Sequence, residues 1–70
     1  MDQINTPRLL RRPEVLARIG VKTSALYEMV AKGAFPQPVP IGARSVAWVE
    51  SEVNSWVQAR IAARDTRKAA

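Results

Sequence analysis

Apolar residues near the N-terminus recur at helical spacing, which predicts a first helix. Val15 and Ile19 lie four residues apart, and Pro13 precedes them at a position that suits the first turn of a helix. Gly20 can end this helix because glycine readily adopts left-handed backbone angles. We therefore predict a short helix over residues 13–18.

A second helical pattern follows immediately over residues 21–32 and predicts another helix. Its inward stripe consists of Leu26, Met29 and Val30. Thr23 or Ser24 is expected to cap the helix with a side-chain oxygen, and Gly33 is expected to end it. Two helices joined by a short turn around a glycine outline a helix-turn-helix, although an ordinary helical hairpin has the same outline.

The next segment changes from helical to extended geometry. Three alternating prolines favour extended backbone and an edge strand, because they lack N–H donors: Pro36, Pro38 and Pro40. Residues 39–41 and 45–48 are predicted to pair as a hairpin with Arg44 at its tip. A further small strand is predicted at residues 8–11. A two-stranded ribbon beside a second helix is the layout of a wing.

The last apolar pattern predicts a C-terminal helix over residues 50–64. Its apolar face comprises Val49, Val53, Trp56, Val57 and Ile61. Trp48 and Trp56 are interpreted as core residues and not as platforms for base stacking. The predicted organisation is a flexible N-terminus at residues 1–7, one domain at 8–64, and a basic, frayed C-terminus at 65–70. The fold class is mainly α with a small β-hairpin wing, a winged helix-turn-helix.

Charge adds a partner class to this picture. The 70 residues contain 11 Lys and Arg against six Asp and Glu, which gives a net charge of +5. Residues 8–64 hold nine of the cations and four of the anions, so the whole net charge belongs to the predicted domain. A basic domain of this size favours a polyanion such as nucleic acid.

Composition excludes several other classes. Cysteine and histidine are both absent, which excludes disulfides and leaves no plausible zinc site. No apolar run approaches the roughly 20 residues that cross a bilayer, and no secretory leader is evident, so a cytoplasmic protein is expected. An enzyme is rejected, because Glu50 and Glu52 lie about 200° apart on a helix and cannot converge. No metal, cofactor, small-molecule ligand or membrane partner is predicted.

A longer pattern of residues resembles a known family. It comprises Arg8-Leu9-Leu10, Pro13-Glu14-Val15, Gly20-Val21, Ser24-Ala25-Leu26-Tyr27, Gly33-Ala34-Phe35-Pro36, Pro38-Val39, Ile41-Gly42, Arg44-Ser45-Val46-Ala47-Trp48, Glu52-Val53 and Trp56. This pattern closely resembles the AlpA family of prophage-encoded regulators, which are akin to the MerR DNA-binding domain and to phage excisionases. The resemblance covers about residues 8–61. It implies a DNA-binding, nucleoid-associated bacterial protein that regulates transcription, or one that acts with an integrase as a recombination directionality factor.

Two positions depart from the family pattern. Lys22-Thr23 stands where the family usually has Ser followed by a basic residue, so the helix cap is expected to shift by one residue. Glu28 stands where the family usually has Arg after the Tyr. On the outward face of the helix, Glu28 either accepts a hydrogen bond from a cytosine amino group or is neutralised by Lys32.

The candidate DNA contacts divide by role. Thr23, Ser24 and Glu28 are expected near base edges in the major groove. Tyr27 is expected to give its hydroxyl to a phosphate, and Arg44 to reach the minor groove or backbone, with Ser45 beside it. Phosphates are expected to be held by Lys22, Lys32, Arg11, Arg12 and Arg18. About five phosphate contacts give a slope of log K on log salt of about −4 to −5.

A protein-interaction module is the competing class. The C-terminal helix and Trp56 would then bind an integrase, a polymerase subunit or a second copy of the chain. The two classes are compatible, and dimerisation or a cooperative array on DNA is expected if the protein binds specific sites. Salt-sensitive binding to non-specific duplex separates them.

Overall fold

A computed structural model describes residues 6–69, which form three helices and a three-stranded antiparallel sheet. The elements are β1 (Leu9–Arg11), α1 (Arg12–Ile19), α2 (Thr23–Ala31), β2 (Val39–Gly42), β3 (Ser45–Val49) and α3 (Glu50–Ala69). The predicted mainly α fold with a hairpin wing is confirmed. The flexible N-terminus predicted for residues 1–7 falls mostly outside the described residues.

The sheet has the strand order β1-β3-β2, so the proline-containing strand lies at an edge. Pro40 of β2 is paired with Val46, and Leu10 of β1 is paired with Trp48. The edge position of β2 agrees with the prediction, because a proline cannot donate a hydrogen bond to a second neighbour. The wing is thus a two-stranded ribbon that β1 joins to the helical part of the molecule.

Glycines end the first two helices, as the sequence predicts. Gly20 follows α1 with φ of 72° and donates its N–H to the carbonyl of Leu16, and Gly33 follows α2 with φ of 73°. Both angles lie in the left-handed region that glycine tolerates best.

The predicted cap of α2 by Thr23 or Ser24 is wrong. Lys22 occupies the cap position in extended backbone, with φ of −93° and ψ of 166°, and makes no side-chain cap hydrogen bond. Thr23 is already the first helical residue. The helix starts without a side-chain acceptor, and Ser24 and Thr23 are both exposed.

A compact core and two tryptophan hydrogen bonds fix the wing against the helices. The core cluster is Leu10, Val15, Leu26, Phe35, Trp48 and Val53. Trp48 is fully buried and donates Nε1–H to the carbonyl of Pro36 at 2.9 Å, while Trp56 donates to the carbonyl of Ala34 at 2.8 Å. Both bonds end on the connection between α2 and β2, so the helix and the hairpin are held in one arrangement.

Helix α3 is longer than predicted. It continues to Ala69, so the predicted helix end at Arg64 is wrong. The frayed C-terminus predicted for residues 65–70 stays a prediction. No glycine or proline follows Arg64 to stop the helix. Ile61, at the far end of the predicted apolar face, is 39% exposed. None of the helices in the described part of the chain combines the length and apolarity that crossing a membrane requires.

Candidate nucleic-acid interface

A cleft of about 230 Å³ lies where the wing meets the start of α1 and the middle of α2. Its lining residues are Arg11, Arg12, Pro13, Tyr27, Arg44, Ser45 and Val46. Five of these are candidate DNA contacts from the sequence, and they come from three separate segments of the chain. The fold therefore brings these five candidates together.

The three arginines of the cleft are placed by the sheet. Arg11 ends β1 and is paired with Ala47, and Arg12 is the first residue of α1. Arg44 lies in the two-residue connection between β2 and β3, because Gly42 pairs with Ser45 and belongs to the strand. The sequence predicts a connection over residues 42–44, and this is wrong for Gly42, which belongs to β2.

The cleft is strongly cationic. None of its three arginines forms an ion pair with a carboxylate within the described part of the chain. Positive charges that line a concave site produce a strong positive electrostatic potential there, and this potential attracts anions. A guanidinium also presents a planar fork of N–H donors that matches two phosphate oxygens. The cleft is therefore suited to a phosphate group.

Tyr27 joins the cleft to the second helix. Its ring centroid lies 6.3 Å from that of Trp48 at an interplanar angle of 56°, so the ring packs against the wing strand β3. The residue remains 38% exposed and lines the cleft beside Arg44. A tyrosine in this position has an anchored ring and an accessible edge.

The exposed face of α2 lies next to the face that carries Tyr27. Lys22, Thr23 and Ser24 are exposed at its first turn. Further along, Glu28 Oε2 lies 3.2 Å from Lys32 Nζ, and both side chains are more than 60% exposed. The ion pair that the i, i+4 spacing of these two residues predicts is thus present. At such exposure it contributes roughly 0.2–0.5 kcal/mol, so it can open when a ligand competes.

Arg18 is separated from the cleft set by its own partners. Its Nη2 lies 3.3 Å from Glu14 and 3.1 Å from Glu50, and its Nη1 donates a long hydrogen bond of 3.4 Å to Asn54. These contacts connect α1 to the start of α3. Within the described residues, two of the predicted phosphate contacts have carboxylate partners: Lys32 pairs with Glu28 of its own helix, whereas Arg18 also pairs with Glu50 of another helix.

Two lining residues of the cleft have no counterpart among the sequence candidates. Pro13 and Val46 are apolar, and the sequence assigns them to a helix start and to the apolar surface of a strand. No chemical signal marks them, because they shape the cleft only through their positions in the fold.

Comparison with known proteins gives consistent matches. A family model described as "Prophage CP4-57 regulatory protein (AlpA)" matches residues 8–61. ORF88, an uncharacterized protein of Enterobacteria phage P4, is 44% identical over 64 residues, which cover 91% of this chain and 73% of the phage protein. The DNA-binding transcriptional activator AlpA of Escherichia coli strain K12 is 27% identical over 66 residues, which cover 86% of this chain and 94% of the activator. These similarities span both the helical pair and the wing.

Proposed function

The chain belongs to the AlpA family of prophage regulatory proteins, and on this premise we propose that it is a double-stranded DNA-binding regulator of transcription. A related activator is named for DNA binding, and the family match covers both the helical pair and the wing of this chain. The protein would act on the genes of a prophage or similar mobile element, at the nucleoid of a bacterial cell.

The observation that carries the proposal is the convergence of Arg11, Arg12 and Arg44 in one cleft beside α2. One backbone phosphate in this cleft would accept hydrogen bonds from guanidinium groups, with the Tyr27 hydroxyl as a further donor. Arg44, at the tip of the hairpin, would reach the adjacent minor groove or the backbone. Phosphate contacts of this kind set the position of the protein on the duplex.

With the cleft seated on the backbone, the first turn of α2 would enter the major groove. Thr23 and Ser24 are exposed there and carry hydroxyls that can donate to or accept from base edges. Lys22 and Lys32 would contact phosphates on either side. Glu28 would meet the groove as well, at the cost of exchanging its contact with Lys32 for a base amino group.

The salt dependence of binding tests this proposal. Fluorescence anisotropy of the full chain with a short duplex that only the cleft and α2 can cover should give a slope of log K on log salt of about −4 to −5. Arg44→Ala should weaken binding to all sequences and flatten the slope by about one unit. Arg8→Ala removes the same charge from a residue that lies outside the cleft and contacts Glu14, so it should leave the slope unchanged.

Two results would count against the proposal in different ways. Binding by Arg44→Ala that equals the parent would remove the wing from the interface. Absence of any salt-sensitive binding by the parent chain would favour the alternative class, a protein-interaction module that uses α3.

A further inference from the structure

The second half of α3 extends beyond the body of the protein. Every residue from position 58 to position 67 is exposed, whereas Val53 is buried and Trp56 is half-buried in the first half. None of these ten residues is buried against the rest of the described chain, although Ile61 is only 39% exposed. We call residues 58–67 the overhang. Packing on the core does not explain which side chains occupy it.

The inner face of the overhang is cationic. At 100° per residue, Arg60, Arg64 and Arg67 fall within about 60° of arc and continue the face that carries Val53 and Trp56. Together with Ala63, the three arginines line a groove of about 330 Å³. The face that packs on the core thus becomes a stripe of arginines where the body ends; we define these three residues as the arginine stripe.

The stripe is anchored at its inner end. The Arg60 guanidinium lies 6.0 Å from the centre of the Trp56 ring, and Trp56 donates to the carbonyl of Ala34 just after α2. Arg64 contacts Asp65 at 2.8 Å, and Arg67 forms no ion pair within the described part of the chain. The stripe therefore begins beside the C-terminal end of α2 and leads away from it.

We propose that the arginine stripe binds the phosphate backbone of duplex DNA as a second contact site, outside the cleft and the outer face of α2. This inference rests on the proposed function. Seven residues of helix span about 10 Å along the axis, at 1.5 Å per residue. Phosphates of one strand advance about 3.4 Å along the duplex axis, so the stripe can follow about three of them.

The chemistry of the groove favours phosphate over a protein surface. Protein interfaces centre on buried aromatic or aliphatic anchors, and this groove offers only Ala63 between the guanidinium groups. A second copy of the chain is a poor occupant, because its net charge of +5 repels the stripe and few of its carboxylates lack a partner. Within the described residues, Glu52 is the one carboxylate without an ion pair.

The test compares two variants of the full chain. The first carries Arg64→Gln and Arg67→Gln, and leaves Arg60 to protect its contact with Trp56. The second adds Ala62→Arg and Thr66→Arg, which restore the net charge on the far side of the helix. Circular dichroism checks that both retain the helix, and anisotropy with a duplex longer than the cleft and α2 could cover gives the salt slope.

If the arginine stripe contacts phosphates, both variants should flatten the salt slope by about two units relative to the parent. A slope equal to that of the parent in the first variant would overturn the inference, and so would restoration of the parent slope by the relocated charges. Titration with poly-glutamate identifies the other occupant: stripe-dependent capture of this polymer with an unchanged DNA slope would assign the stripe to an acidic protein and overturn the proposal. If the parent binds duplex and Arg44→Ala alone flattens the slope, the stripe fails while the proposed function stands.

Discussion

At the scale of single residues, Glu28 is the unusual member of the proposed interface. A carboxylate facing a groove is repelled by phosphates, and in the free protein Lys32 compensates for it at 3.2 Å. The same carboxylate can accept a hydrogen bond from the amino group of cytosine. Glu28 therefore either selects a base pair or merely lowers the affinity for every sequence.

Glu28→Gln separates these two roles. If Glu28 reads a base, the variant should lose discrimination at one base pair by about 1–3 kcal/mol while non-specific affinity rises, because a repulsive charge is gone. Competition binding against a panel of single-base-pair changes measures this. Glu52→Gln removes the same charge on α3 and should leave base preference unchanged. Uniform gain at all positions in Glu28→Gln would show that Glu28 serves only the ion pair.

Arg18 gives a second prediction at this scale. Because its guanidinium contacts Glu14 and Glu50, Arg18→Gln should lower the free energy of unfolding by about 0.5–1 kcal/mol, as expected for partly exposed ion pairs. Urea denaturation measures this loss. The DNA salt slope should stay at the parent value. A slope flattened by one unit would instead show that Arg18 contacts a phosphate, as the sequence suggests.

At the scale of elements, the connection between α2 and β2 decides how the wing stands beside the helix. Two indole N–H groups donate to carbonyls of this connection, and the Phe35 ring lies 5.0 Å from the Trp56 ring in an edge-to-face arrangement. Alternating prolines stiffen the segment further, since each fixes its own φ and restricts the residue before it. The shape of the cleft therefore depends on this rigid connection between α2 and β2.

Trp48→Phe tests how strongly the connection between α2 and β2 is held. The variant removes the hydrogen bond to the carbonyl of Pro36 and leaves a small void, so the free energy of unfolding should fall by about 2 kcal/mol. Trp56→Phe is the matched control; it should cost less, because Trp56 is only half-buried and water can replace the donor. Chemical denaturation compares the two. Equal losses would contradict the role given to Trp48.

Some elements follow from local sequence signals and others do not. The ends of α1 and α2 and the edge position of β2 are predictable because glycine and proline constrain the backbone at those positions alone. The end of α3 is not marked by any such residue, so the prediction stops where the apolar face stops. The cap of α2 fails for a related reason, since Thr23 suits both a cap and a first helical position.

The candidate site is likewise predictable where it depends on local sequence, and not where it depends on contacts between distant residues. Arg44 at the hairpin tip follows from the short connection between two strands, which is local information. Its proximity to Arg11 and Arg12 depends on the pairing of β1 with β3, a contact between residues far apart in the chain. Arg67 is missed because the stripe exists only if α3 continues past Arg64.

At the scale of the whole molecule, the small size of the proposed interface predicts more than one copy on DNA. One module of this size buries about 600–1,000 Å² on DNA, so tight and specific binding requires two or more copies on adjacent sites. Footprinting across the promoters and attachment sites of the mobile element should therefore protect a repeated site. A palindrome near a promoter would support the transcriptional role, and direct repeats beside an attachment site would instead support a directionality factor that works with an integrase. Protection of a single isolated site at saturating protein would contradict the multiple-copy prediction.

The most direct measurement is the change in backbone amide chemical shifts when a duplex is added to the isotopically labelled chain. Residues 22–28, at the start of α2, and residues 43–46, at the hairpin, should shift together, because they flank one cationic cleft. Shifts confined to α3, with the α2 and hairpin amides unchanged at saturation, would contradict the proposal that the cleft and the second helix form the DNA-binding surface.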